Sequence, residues 1–505
     1  MEQRTQTLVI VGGGTAGWMT AAMTARFLES GWRIVLVESD AIGTVGVGES
    51  TIPQIQLFNA ALGLDEDDFL RATQGTIKLG IEFDGWTQPG ERYMHAFGTI
   101  GRGLGLTQFH HYWLRARQAG SAQALSSYSL NETAARRLKF ARQTGPQPGV
   151  IPPMPYAFQF DAALYAAYLR RYAEARGVVR VEGRIVGVKR IGESGDVASV
   201  RLDDDCAVAG DLFVDASGFR SLLLGEALGV GFEDWSHWLP CDRAMAVPCA
   251  LGGDFTPYTR ATARKAGWQW RIPLQHRIGN GYVYASKHVS DDEAAATLLA
   301  NLDGEAMADP KPLRFTAGKR DAFFVCNVVA IGLASGFLEP LESTSIHLIQ
   351  TAIARLLDLL PGGPVSDAAR AEYNRLAHFE FDRIRDFLVL HYHANQRVGE
   401  PLWDHARMMS LPEELDRKLA LWRATGNVSR LPDELFAEPA WVQVLIGQGI
   451  IPDRYHPLAD QLDSSDLDGF LSTVATVVDR TAAAMRSHAD FIARHCAAPT
   501  RSLTA

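Results

Sequence analysis

Apolar residues Leu8 to Val11 form a short unbroken run that stops at Gly12-Gly13-Gly14-Thr15-Ala16-Gly17. A helical stretch follows through Trp18, Ala21, Ala22 and Phe27, and Arg33 to Glu38 reads as a second buried strand. Strand, glycine turn, helix and strand make the opening unit of a parallel sheet. Strand signals recur over Val178 to Val188, Ser199 to Leu202 and Asp211 to Asp215. The most apolar long stretch, Ala322 to Leu338, spans 17 residues and contains Asn327 and Ser335. It is short for a membrane-crossing helix, and its valines and glycines predict a buried strand running into a turn. Beyond Ser343 the texture changes. Ile346 to Leu360 repeats at helical spacing up to Pro361-Gly362-Gly363-Pro364, Asp367 to His393 continues in the same way, and few strand signals follow. The expected fold class is α/β: a Rossmann-like module over residues 1–350 and a mostly helical region over 351–505 packed on it.

Composition changes this picture little. A chain of 505 residues, 47% hydrophobic and 21% charged, can bury a large core. A net charge of −9 gives no general reason to bind nucleic acid or an anionic membrane. The polar start Met1-Glu2-Gln3-Arg4 lacks the pattern of a signal peptide, so a cytoplasmic location is expected. Five scattered cysteines without a C-x-x-C pair suggest neither a disulfide framework nor a metal site.

Chemistry enters with the glycines. Gly12, Gly14 and Gly17 have the G-x-G-x-x-G spacing, and Thr15 and Ala16 lie within it. Such a turn brings backbone N–H groups against a pyrophosphate at the positive end of a helix. Glu38 follows Gly17 by 21 residues, where a carboxylate can accept hydrogen bonds from a ribose. A second glycine turn, Gly332 to Gly336, carries Leu333 some 300 residues later, with Leu338 just beyond. Two contact regions so far apart suit FAD, which is long and held from both ends, better than NAD.

Several segments resemble the flavin-dependent tryptophan halogenases. Trp268-Gln269-Trp270-Arg271-Ile272-Pro273 matches the W-x-W-x-I-P motif of that family. Val47-Gly48-Glu49-Ser50-Thr51-Ile52-Pro53 is similar to its flavin-contacting strap, and Thr76-Ile77-Lys78-Leu79-Gly80-Ile81 to the segment with its active-site lysine. Phe337 to Ser345 is similar to the segment carrying its glutamate and halide site.

The resemblance implies an enzyme that halogenates a small electron-rich aromatic, such as indole or tryptophan. No side chain can oxidise a halide, whereas reduced flavin with oxygen can, yielding hypohalous acid. Lys78 would aim that acid, by a hydrogen bond or as an N-halo adduct. Glu342 would stabilise the cationic ring or take its proton; a carboxylate at a helix start is the plainer reading, and both can hold. Val47, Gly48, Glu49 and Ser50 would touch FAD, and backbone amides at Thr344 and Ser345 would hold chloride or bromide. His95, Phe97 and Ser343 would lie on the substrate side, the first two within an inserted substrate-side segment near residues 85–155.

Trp268 and Trp270 alternate on one strand face, so core packing explains them as well as a barrier between substrate and flavin. Ser345 stands where the family usually has glycine, which puts the choice of halide in question. Residues 430–470 show no counterpart to the acidic, aromatic stretch that grips an amino acid. With no nicotinamide site evident, a separate flavin reductase is the expected partner. The oligomeric state, a homodimer included, stays open. His391-Tyr392-His393 looks metal-like but sits in an expected helix, where i and i+2 diverge, so no metal is expected. Two other readings remain: a flavin-dependent hydroxylase and a non-catalytic FAD-binding protein.

Overall fold

The computed structural model describes residues 5–28, 31–42, 48–143, 149, 151–253, 255–360 and 365–499. Val47 and the Pro361-Gly362-Gly363-Pro364 turn lie outside them. The fold is the expected mixture of α and β. The strand Gln6–Val11 stands near the middle of a six-stranded sheet, between Leu212–Asp215 and Trp32–Glu38, and pairs parallel with both. Its apolar run is continuous because both faces are covered. Leu8 and Ile10 enter the main core, while Val9 and Val11 enter a smaller cluster with Val200 and Leu223. The helix Thr15–Phe27 leaves the glycine turn and packs on the helix Ala162–Glu174.

The strand expected over Val178 to Val188 is two strands. Val179–Glu182 closes one edge of the six-stranded sheet, and Ile185–Arg190 turns away to pair with Val197–Leu202. The break falls at Gly183, whose missing side chain leaves room for Leu202; an added Cβ would come within 3.0 Å of it. Alternation alone does not reveal which partner each half will find.

A seven-stranded mixed sheet carries Gly267–Pro273, Gly80–Asp84 and the edge strand Arg92–Ala96. Beside it a three-stranded antiparallel sheet joins Gly48–Ser50, Ala157–Asp161 and Thr76–Lys78. Every named element after Ser345 is a helix, and the longest is Asp367–His393, with 27 residues. Among the described residues no helix is long and apolar enough to cross a membrane.

Candidate active site

The glycine turn opens onto a cavity of about 560 Å³. Gly12 needs its positive φ of +113°, and a Cβ there would meet the Ala216 carbonyl oxygen at 2.3 Å. At Gly17 a Cβ would strike the Gly12 carbonyl oxygen at 1.8 Å, so this glycine lets the helix start against the turn. Gly14 differs. It is the N-cap of the helix, supplies no side-chain cap, and a Cβ on it would meet no protein atom within 4 Å. The first turn of that helix also carries no acidic residue. Free N–H groups, a positive helix end and unfilled space fit a pyrophosphate.

Glu38 lines the same cavity, with one carboxylate oxygen taken by Arg180. Gly48, Glu49 and Ser50 form another part of the wall, as do Leu333 and Leu338. Loss of hydration pushes the Glu49 carboxyl up to about 7. Trp268, Trp270 and Ile272 line the cavity as well, together with Ser343 and Ser345. These residues fit a dinucleotide that reaches from Glu38 to the tryptophans. Pro273 is not on the wall. Its carbonyl accepts from Thr76 Oγ1 at 2.7 Å, which ties the tryptophan strand to the strand of Lys78.

Behind Ser343 the site is built from side chains. Lys78 is fully buried at the end of Thr76–Lys78, and its Nζ donates to Ser343 Oγ at 2.8 Å. Burial pulls its ammonium down to about 7, although Glu342 nearby favours the charged form. The Phe97 ring lies 5.4 Å from Nζ, at cation–π range. Gly80 permits this approach: a Cβ there would meet the His95 carbonyl oxygen at 2.6 Å, so only glycine lets Arg92–Ala96 come so close. Gln443, on the helix Glu438–Gly447, then closes that edge by bonding both the N–H and the carbonyl of Ala96 at 3.0 Å.

Glu342 is 1% exposed and lies between two histidines. His95 Nδ1 stands 2.8 Å from its Oε2, and His391 Nε2 stands 2.8 Å from its Oε1. Burial alone would raise this carboxyl, but the two histidines outweigh it and hold it at about 2. Ser343 sits in the left-handed region at φ +58°, which turns its hydroxyl toward Lys78 while Glu342 points to the histidines. Thr344 follows, wholly buried, with no hydrogen-bond partner for Oγ1 among the described residues. It caps the helix Ser345–Leu359 without a side-chain bond, which leaves backbone N–H groups free there.

The structure thus brings Lys78, His95, Phe97, Glu342 and Ser343 together, and it sets Ser343 against both the cluster and the cofactor cavity. Several members carried no signal in the sequence. Phe387 and Phe436 stack at 3.9 Å beside His95, and Trp441 meets Phe387 edge-on at 5.0 Å. Glu339, fully buried and pushed up to about 7 by that burial, accepts from Trp268 Nε1 at 2.8 Å and from the Tyr392 hydroxyl at 2.6 Å. Trp268 is therefore anchored as well as packed. His391, from the stretch where no metal is expected, is wholly buried against Glu342. A second cavity, of about 640 Å³ and with mainly apolar walls, is lined by Thr99 and Ile100, two and three residues after Phe97 in the chain, and has none of Lys78, His95, Phe97 or Glu342 on its wall. Glu438 and Arg102 are charged groups on its wall.

The family model for tryptophan halogenase matches residues 7–464 of this chain. The tryptophan 6-halogenase SttH of Streptomyces toxytricini is 36% identical over 482 residues, covering 89% of this chain and 90% of that one. Among solved structures, the flavin-dependent halogenase Xcc4156 of Xanthomonas campestris superposes with a TM-score of 0.96. It is 46% identical, over 99% of this chain and 100% of that one. BrvH, a flavin-dependent halogenase from Brevundimonas sp. BAL3, gives a TM-score of 0.94 and 45% identity, over 97% of this chain and 100% of that one.

Proposed function

The chain belongs to the tryptophan halogenase family, and from that premise we propose that it uses reduced FAD, oxygen and bromide or chloride to halogenate an electron-rich aromatic ring. The observation that carries this reading is the burial of Lys78 and Glu342 on one side of Ser343 while the cofactor cavity lies on the other. FAD, when bound, supplies the two-electron oxidation of halide to hypohalous acid, its reducing equivalents coming from a separate flavin reductase. Residues 1–350 are assigned as the cofactor module and 351–505 as a mostly helical region, from which His391 and Phe436 reach the residues around Glu342 and His95.

Lys78 directs the acid. At pH near 7 about half of a lysine held at that value is free amine. The amine nitrogen attacks the halogen, the N–halogen bond forms as the O–halogen bond breaks, and the leaving hydroxide takes the nitrogen's proton to become water. Hydrogen bonding by the ammonium form would deliver the same halogen without that adduct. The ring's electron pair then takes the halogen, and Glu342 receives the proton from the substituted carbon. A carboxylate held near 2 is a weak base. It suffices because a halogenated ring cation is a far stronger acid. The same anion stabilises that cation in a dry site.

For the halide, backbone amides at Thr344 and Ser345 are the assigned contacts, and bromide is read as used at least as well as chloride. For the ring, indole or a similar neutral aromatic suits the buried rings of Phe97, Phe387 and Phe436 beside Lys78 and His95. Tryptophan itself is the second reading, favoured by Glu438 and Arg102, which could meet an ammonium and a carboxylate. The test is turnover with FAD, a flavin reductase, NADH, each halide, and indoles with and without the amino acid, read by mass spectrometry. Halogenated product lost in Lys78→Ala with FAD still bound is the expected result. Hydroxylated product formed without halide would replace this reading with a hydroxylase, and FAD binding without any turnover would leave a non-catalytic flavoprotein.

A further inference from the structure

His391 lies in the last turn of the helix Asp367–His393, and its Nδ1 is 2.8 Å from the Phe387 carbonyl oxygen. A carbonyl only accepts, so Nδ1 carries a hydrogen. The other ring nitrogen stands 2.8 Å from Glu342 Oε1, an ion-pair contact without hydrogen-bond alignment, and neither atom has a hydrogen-bond partner among the described residues. A bare imidazole nitrogen and a carboxylate oxygen would repel at that distance, so a proton lies between them. The two flanking histidines hold the Glu342 carboxyl low, and the proton is shared across this contact. The ring cannot turn aside. Phe83 and Phe387 flank it, with centroids at 4.7 and 5.1 Å, and Gln448 Nε2 fixes the His391 carbonyl at 2.9 Å.

We propose that His391 is a positioning residue for halogenation, holding Glu342 ionised and aimed at the substituted ring carbon. The proposal rests on Glu342 acting as the base. In that step the C–H bond breaks, its electron pair returns to the ring, and the proton moves to a Glu342 oxygen; His391 contributes its close contact with the carboxylate and transfers no electron. Other titratable groups around Glu342 do not replace it. His95 bonds the opposite oxygen. Tyr93 is kept neutral, its hydroxyl pushed far above the ordinary range by burial and by Glu342. Lys78 is turned to Ser343. Glu339 and Tyr392 bond each other.

Without His391 the burial of Glu342 is less opposed, so its carboxyl titrates higher and the ionised base is populated only as pH rises. The experiment measures bromination of indole by FAD-loaded wild type, His391→Gln, Glu342→Gln and the double variant across neutral pH. His391→Gln is expected to lose about tenfold or more at mildly acidic pH and to recover part of that toward alkaline pH. Glu342→Gln is expected to lose about a hundredfold or more at every pH, and the double variant to lose no more than that, because His391 acts through Glu342. A His391→Gln profile parallel to wild type, or losses that multiply in the double variant, would overturn the proposal. Nitrogen NMR of the FAD-free wild type reads the pair independently of turnover. The His391 Nε2 signal should show a proton shared with Glu342 and lose that signature in Glu342→Gln; an Nε2 without a proton in wild type overturns the pairing. Full turnover in Glu342→Gln with the NMR result intact would instead remove Glu342 as base and the catalytic consequence with it.

Discussion

The turn at Gly12–Gly17 and the cluster around Glu342 face the two sides of Ser343 and are built by opposite means. At the turn, recognition comes from backbone N–H groups and from the lack of side chains; Gly14 faces open space and buries no charge. At Glu342 the backbone is scaffolding, and the chemistry lies in a buried lysine, a buried carboxylate and two histidines drawn from four distant segments. The first kind of site depends on shape. The second depends on charge balance in a dry interior, where an unpaired ion is far more costly than at the surface. The turn should therefore respond to added volume and the cluster to protons.

The largest expected separation is in activity. Lys78→Ala and Glu342→Gln should each lower halogenation by about 10² to 10⁴-fold while a fluorescence titration shows FAD affinity little changed. Loss of FAD binding in either variant would merge the two regions into one. Next come the glycines. Gly14→Ala should melt like wild type, since the added Cβ meets no protein atom within 4 Å, and yet bind FAD at least about tenfold more weakly. Gly12→Ala should destabilise the FAD-free protein by roughly 1–3 kcal/mol, from backbone strain and the clash with Ala216. Equal melting of the two variants would break the distinction between a glycine needed by the fold and one needed by a ligand.

Lys78 should also leave a mark on stability. Its ammonium is lowered from 10.5 to about 7 in the folded protein. Between those values the unfolded chain binds a proton that folded Lys78 has released, so raising pH through that window favours folding. Urea melts should show wild type gaining stability over Lys78→Met by a few kcal/mol between about pH 7 and 10, and a constant difference would place the lysine in water. The smallest effect is expected at the boundary itself. Ser345→Gly should shift the bromide-to-chloride product ratio by less than about tenfold, one pocket contact being worth about 1 kcal/mol. An unchanged ratio would take residue 345 out of halide selection.

The amino-acid sequence by itself determined the parts that are local. The run Leu8 to Val11, the glycine spacing and Glu38 lie within one β-α-β unit, so their order along the chain is already their order in space. The same holds for the helices past Ser345, whose period is written in consecutive residues. Lys78, Glu342 and the two tryptophans were legible only through resemblance, because nothing in their neighbours' composition distinguishes a buried lysine from a surface one. Tertiary structure alone decided the partnerships. It split the expected strand at Gly183, anchored Trp268 on Glu339, and brought Phe387, Phe436 and His391 to residues some 50 to 340 positions away in the chain. His391 is the clearest case. On its helix it is one more histidine, and it becomes the neighbour of Glu342 only because folding brings the two within 2.8 Å in a buried interior. Backbone-made recognition is encoded where it is used, whereas a charge balance exists only between groups that folding has already brought together and dried.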